Sequence, residues 1–196
     1  MQKINFQSKP LRQKQNQPTK SEKEIIWKQM LVKTERITDD LGKGIDKNIK
    51  KPVAAFLLHG FTTSGSCEGH IAKNGKTQFG LPYPWIEVYA PAPKNWRKAK
   101  NGQKIHLEQE WKLENLRQQN KITILLQEFY KKRKTPPDAH LVLESIGIFG
   151  GFRVQSFGAK TIAALPQKEK KQKLSLYRKE MNDFAKFLKN KYFAKE

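Results

Sequence analysis

His140-Leu141-Val142-Leu143-Glu144-Ser145-Ile146-Gly147-Ile148-Phe149-Gly150-Gly151-Phe152-Arg153-Val154-Gln155-Ser156-Phe157-Gly158 is the stretch that decides the fold. Residues 140–149 and 152–158 are two apolar, alternating runs joined at Gly150-Gly151. Alternation with period two, carried by β-branched and aromatic residues, is what half-buried strands require. A glycine pair accepts the positive φ angles of a two-residue hairpin turn. An antiparallel hairpin is therefore expected. Arg153 is costly in the middle of such a pair unless it is matched, and Glu144 on the partner run is its expected counter-ion.

Upstream of this hairpin, residues 107–134 contain no glycine or proline, and Trp111, Ile122, Leu125, Leu126 and Phe129 recur on one side. A long helix is expected there, with Asn120 the place where it would break and Pro136-Pro137 its stop. Downstream, Leu174, Tyr177, Met181, Phe184, Leu188 and Tyr192 lie three or four apart, the pattern of an amphipathic helix with lysines outside. Nearer the start, Ser21 and Glu24 read as a capping box opening a helix over 21–37. Asp46 is placed to cap a second helix that ends near His59-Gly60, and Pro52 either kinks that helix or marks its true start. Residues 83–89 alternate like a strand, and Pro82, Pro84, Pro91 and Pro93 around them point to a short or edge position. About four helices and four strands, with the strands near one another in sequence, predict an α+β domain with a small, largely antiparallel sheet. Residues 1–20 carry five basic side chains and no acid, and are expected to be a disordered basic arm before a single domain over 21–196.

The chain has 39 lysines and arginines against 18 acidic residues, a net charge of +21. That excess points to a polyanionic partner, and nucleic acid, RNA in particular, is the expected one. No run of about 18 apolar residues occurs, so no membrane span is expected. A single cysteine excludes internal disulfides and fits a reducing compartment, so a cytoplasmic protein is expected. Lys94, Arg97, Lys98 and Lys100 surround Trp96 without an acid between them, which reads as an exposed basic loop for a nucleic-acid backbone. Trp96 is the base-stacking candidate there, with cation–π contact to its own lysines the alternative. Trp85 and Tyr89 read either as stacking platforms or as half-core residues.

Chemistry is concentrated in Gly60-Phe61-Thr62-Thr63-Ser64-Gly65-Ser66-Cys67-Glu68-Gly69-His70-Ile71. Hydroxyls and glycines do not build cores, but they turn a backbone and leave amides facing a ligand. Thr62, Thr63, Ser64, Ser66, Cys67 and Gly69 are therefore the expected ligand-binding residues. His70 supplies a charge or hydrogen bond, and Glu68 orients His70 or accepts a proton, so these two are the expected catalytic pair. Cys67-x-x-His70 also has the spacing of metal ligands, with His59 just upstream. A four-ligand zinc site would need His106 or His140 from far away, and no metal is assigned. Cys67 as a nucleophile would need a depressed thiol pKa.

Ile45-Asp46-x-x-Ile49 followed by Thr63-x-x-Ser66-Cys67-x-Gly69-x-Ile71 resembles the N-terminal signature of the wybutosine-synthesising tRNA methyltransferases, where an Ile-Asp helix leads to a Ser-Ser-Cys-Ser-Gly-Arg loop. Gly151-Phe152-Arg153 and Ser156 look like that family's Gly-Phe-Arg-x-Ser segment. The resemblance implies an α/β RNA-modifying fold using S-adenosylmethionine to methylate a hypermodified guanosine in tRNA. For Arg153, a ligand-binding role facing the Cys67 loop is the alternative to its pairing with Glu144. This chain departs from the pattern at Gly65 and Glu68, which replace serines, and at His70, which replaces the arginine.

Overall fold

The computed structural model describes residues 19–38, 42–72 and 80–194. Almost all of the expected basic arm lies outside these residues. Four long helices and four strands follow in the order α1 (Lys20–Glu35), α2 (Lys50–Leu58), β1 (Thr63–Cys67), β2 (Trp85–Val88), α3 (Asn101–Tyr130), β3 (Leu141–Ile146), β4 (Gly151–Ser156) and α4 (Gln167–Phe193). The strands form one antiparallel sheet in the order β1-β2-β4-β3, so the fold is α+β as expected.

The hairpin runs in register from Leu141 opposite Ser156 to Ile146 opposite Gly151. Its turn is longer than the glycine pair implied. Residues 147–150 make it, with Gly147 and Gly150 at φ 60° and 78°. Gly151 belongs to β4 and is glycine for a different reason: a Cβ there would lie 1.9 Å from Cδ2 of Tyr89. β2 is interior rather than at an edge, pairing with β1 on one side and β4 on the other. All four prolines flank its paired span, so no ladder N–H is lost.

Strand alternation separates the two faces of the sheet. Ile86, Val88, Phe152 and Val154 are fully buried against the helices, while Trp85, Glu87 and Arg153 are only half-buried on the other face. On the helical side α4 is the central element, with the predicted stripe Leu174, Tyr177, Met181, Phe184 and Leu188 buried. Phe184 sits edge-on to Phe56 of α2 and beside Phe129 of α3, with ring centroids 6.1 and 5.2 Å away. Burial of such a ring contributes about 1.5–3 kcal/mol. Glu180, on the same helix and 3% exposed, is held by both Nε and Nη2 of Arg133 at 3.0 and 2.8 Å.

Three helix boundaries differ from expectation, each for a local reason. The capping box is Thr19 with Glu22, not Ser21 with Glu24: the Glu22 amide donates to Thr19 Oγ1 and the Thr19 amide to Glu22 Oε2. α3 begins at Asn101, takes in Lys104 and continues through Asn120 without a break, as a run free of proline permits. α2 begins at Lys50, so Pro52 falls in its first turn, where no intrahelical N–H is missed, and Ile49 occupies the cap position. Asp46 does not cap α2; its carboxylate turns elsewhere.

Candidate functional site

In the stretch over residues 60–71 a strand leads into a turn, and the strand takes five of the twelve residues. β1 takes residues 63–67 into the sheet edge, with an irregularity between Thr63 and Gly65. Only after Cys67 does the chain turn, and Gly69 makes that turn possible at φ +82°. Four amides of the stretch are used internally. Thr62 N–H donates to Gln118 Oε1 at 2.9 Å, Glu68 N–H to Asp46 Oδ2 at 3.2 Å, Gly69 N–H to Cys67 Sγ at 3.3 Å and His70 N–H to the Leu81 carbonyl at 2.8 Å. Of the amides expected around Gly65 and Gly69 to face an anion, that of Gly69 is directed at Cys67 Sγ.

The side chains reorganise around Asp46. Its Oδ2 lies 3.0 Å from His70 Nε2 and also accepts the Glu68 amide. Asp46, not Glu68, thus orients His70. The carboxylate of Glu68 is occupied on both oxygens, Oε2 accepting the Asn48 amide at 2.8 Å and Oε1 the Arg178 guanidinium at 3.3 Å. Arg178 donates in addition to the carbonyls of Glu68 and Gly69 at 2.8 and 2.7 Å. Glu68 is a clamp that ties the turn to α4 and to the start of α2, and the contact with the His70 ring is made by Asp46.

Burial works against ionisation of Asp46, but the Glu68 amide, His70 and the charge of Lys43 outweigh it and hold the carboxyl below its ordinary range. Cys67 goes the other way. Burial pushes its thiol up, Asp46 adds to this, and N–H groups of Gly69 and Leu81 directed at the sulfur pull it down by less. Such a thiol is not a nucleophile unaided. The donor atoms of Asp46, Cys67 and His70 nevertheless lie within 4.8 Å of one another. The histidines considered as further ligands are elsewhere: His59 Nε2 is bonded to the Leu188 carbonyl, His140 Nε2 to the Thr135 carbonyl, and His106 is exposed on α3.

Beside β1 opens a cleft of about 300 Å³. Thr63, Ser64, Gly65 and Ser66 form one wall, Thr38, Lys43, Gly44 and Asp46 the other, and Trp85 borders both. Gly65 allows the indole of Trp85 to lie close under the strand, since a Cβ there would meet it at 3.2 Å. Thr62 is turned away and held by Gln118 of α3. Arg153 joins a different group from His70: its guanidinium stacks 4.4 Å from the Trp85 ring and pairs with Glu87 at 3.2 Å, not with Glu144. Glu144 bonds instead to Lys160 and Gln155.

The basic segment forms a turn over 94–98 with Lys94, Arg97, Lys98 and Lys100 exposed. Among the described residues none of these four has an acidic partner. Trp96 is half-buried, edge-on to Trp111 and Phe149, with the Lys104 ammonium 5.2 Å from its centroid. The contact with its own lysine is thus present in the structure. Sequence reasoning missed Arg178 altogether and gave Asp46 the wrong partner. Searches against protein-family models, curated proteins and solved structures find no match for this chain.

Proposed function

We propose that this protein binds RNA and receives one nucleotide in the cleft beside β1, as an RNA-modifying protein whose working pair is Asp46 and His70. The observation that carries the reading is the coincidence of a hydroxyl-walled cleft, lined by the Asp46 that holds His70 at 3.0 Å behind it, with a net charge of +21. The cleft is at the small end of the range of about 300–1,000 Å³ in which ligands are held. A base turned out of its stack is an apolar plate with a polar edge, which the Trp85 indole and the hydroxyls of Thr63 and Ser66 match. The unpaired cations at Lys94, Arg97, Lys98 and Lys100 supply sequence-independent attraction for phosphates. His70 Nε2, aligned by Asp46, is the atom at which a proton would be held or moved.

S-adenosylmethionine is the methyl donor implied by the resemblance to tRNA methyltransferases; at about 300 Å³ the cleft takes one nucleotide and not this donor as well, so none of its wall residues is assigned to the donor. When bound it would supply an electrophilic methyl group, and this chain's part would be to orient the acceptor and take up its proton. One observation favours a second reading, a non-enzymatic RNA-binding accessory protein: Glu68 and the turn amides are already tied inside the molecule. Binding of a tRNA followed by fluorescence anisotropy across a salt series, for the wild type and for Asp46→Ala and His70→Ala, tests both. Affinity falling steeply with salt supports RNA binding. Equally weak binding at all salt concentrations refutes it. Loss of a modified nucleotide with affinity intact separates the enzyme from the accessory protein.

A further inference from the structure

We propose that Asp46, Cys67 and His70 form a divalent metal site, with one carboxylate oxygen, one thiolate and one imidazole nitrogen as donors and zinc as the best-matched ion. The site shares Asp46 and His70 with the RNA-modifying reading, and with the ion bound His70 Nε2 no longer holds a proton; the existence of the metal site does not depend on RNA.

The three donors are already close together. Their ligand atoms fall within 4.8 Å of one another, and His70 Nε2 and Asp46 Oδ2 are 3.0 Å apart. Tetrahedral bonds of about 2.0–2.3 Å to zinc separate donors by about 3.3–3.7 Å. The widest pair must close by about 1 Å, which rotation of one side chain within its rotamer well supplies. All three side chains are largely shielded, at 17% exposure for Asp46, 18% for His70 and 6% for Cys67.

The turn between Cys67 and His70 adds independent support. The Gly69 amide donates to Sγ at 3.3 Å, and the Leu81 amide is directed at the same sulfur. N–H groups converging on the sulfur favour a thiolate once an ion is bound, against the burial that pushes the free thiol up. Gly80 closes the cradle: a Cβ there would sit 2.7 Å from His70 Cδ2 and 3.5 Å from Cys67 Sγ. Thiolate and carboxylate together balance a doubly charged cation. Glu68 adds little charge because Arg178 neutralises it, and Lys43 is the nearby cation that counts against the site.

The donor set selects the metal. A thiolate with an imidazole and a carboxylate suits zinc, while magnesium and calcium take oxygen donors. Binding requires Cys67 to release its proton to solvent, and His70 to carry its remaining proton on Nδ1, so that the Nε2 lone pair meets the ion. Three protein donors leave one tetrahedral position for water, the arrangement of catalytic rather than structural zinc. The Cys-x-x-His spacing lacked a third ligand in the sequence because Asp46 lies far upstream.

Untagged full-length protein, exposed to zinc and then exhaustively dialysed, should contain about one zinc per chain by elemental analysis. Cobalt(II) in its place should show sulfur-to-metal charge transfer and the intense visible bands of a tetrahedral site. Cys67→Ser should abolish the charge-transfer band, and Asp46→Ala and His70→Gln should each weaken zinc binding by more than the roughly 10–100-fold that loss of an outer-shell partner costs. Circular dichroism of each variant confirms that it is folded. Folded wild-type protein with substoichiometric zinc and no cobalt–sulfur band overturns the proposal. So does zinc retained at full stoichiometry by folded His70→Gln. Anisotropy with tRNA, run in parallel, keeps the two readings apart: metal without RNA affinity sinks only the RNA reading, and RNA affinity without metal sinks only the metal site.

Discussion

Gly69→Ala is the substitution whose outcome the structure fixes most tightly. Gly69 sits at φ +82°, and an added Cβ would lie 2.6 Å from Cδ1 of Leu174, 2.7 Å from the carbonyl carbon of Tyr83 and 2.9 Å from its Cα. Leu174 can rotate away. The Tyr83 backbone cannot, because it leads directly into β2 in the middle of the sheet. The left-handed conformation costs an L-residue about 1–2 kcal/mol, and overpacking against immobile atoms adds about 1–3 kcal/mol. The expected loss is thus about 2–5 kcal/mol, a drop in Tm of roughly 6–15 °C for a chain of this length. Gly102→Ala is the control, since nothing lies within 4 Å of a Cβ there and the residue is in the first turn of α3. It should be neutral or stabilising by up to about 1 kcal/mol. Urea unfolding of both variants measures the contrast. A loss under about 1 kcal/mol for Gly69→Ala, or equal shifts in the two, would refute the turn geometry on which the Asp46–His70 site rests.

Arg133→Ala strands the carboxylate of Glu180, which is 3% exposed, and should cost about 3 kcal/mol in urea unfolding; Arg133→Ala with Glu180→Gln together should recover part of that loss. Asp46 and Asp183 are both held below the ordinary carboxylate range, so each adds stability above its unfolded pKa of about 3.9 that is lost as pH falls through the folded value. Asp46→Asn should therefore flatten the acid limb of the stability–pH curve below about pH 4, seen as Tm measured across that range. Replacing Lys94, Arg97, Lys98 and Lys100 by glutamate should weaken tRNA binding for all sequences alike and reduce the slope of log affinity against log salt by about 0.7–0.9 for each phosphate no longer neutralised; an unchanged slope would place the RNA elsewhere.

The sheet and the helices were legible because their signals are local. Alternation in residues 141–146 and 152–156 needs no knowledge of the rest of the chain, and the stripe on α4 declares its buried face by spacing alone. What failed depended on distant partners. Gly151 looks like a turn residue, and only the ring of Tyr89, packed against it, explains why no side chain fits there. Prolines around residues 85–88 point to a short or edge strand; the strand is short, at four residues, but interior, because a proline weakens a ladder only where its own N–H would have paired. At the site, Glu68 stands two residues from His70 in the chain and drew the orienting role, while Asp46 performs it from 24 residues away. Arg178, which locks Glu68, is 110 residues distant and looks in the sequence like one more outward cation of a basic helix. Trp96 shows the same limit, since its neighbours Trp111 and Phe149 come from α3 and the hairpin turn.

Hydrogen exchange of the full-length protein with and without tRNA, read peptide by peptide, tests most directly whether the cleft receives RNA. Bound RNA should slow exchange in the cleft walls, at Thr38, Gly44 and residues 63–66, as well as in the basic turn over 94–98. Protection confined to that turn, with both cleft walls exchanging as fast as in the free protein, would contradict it.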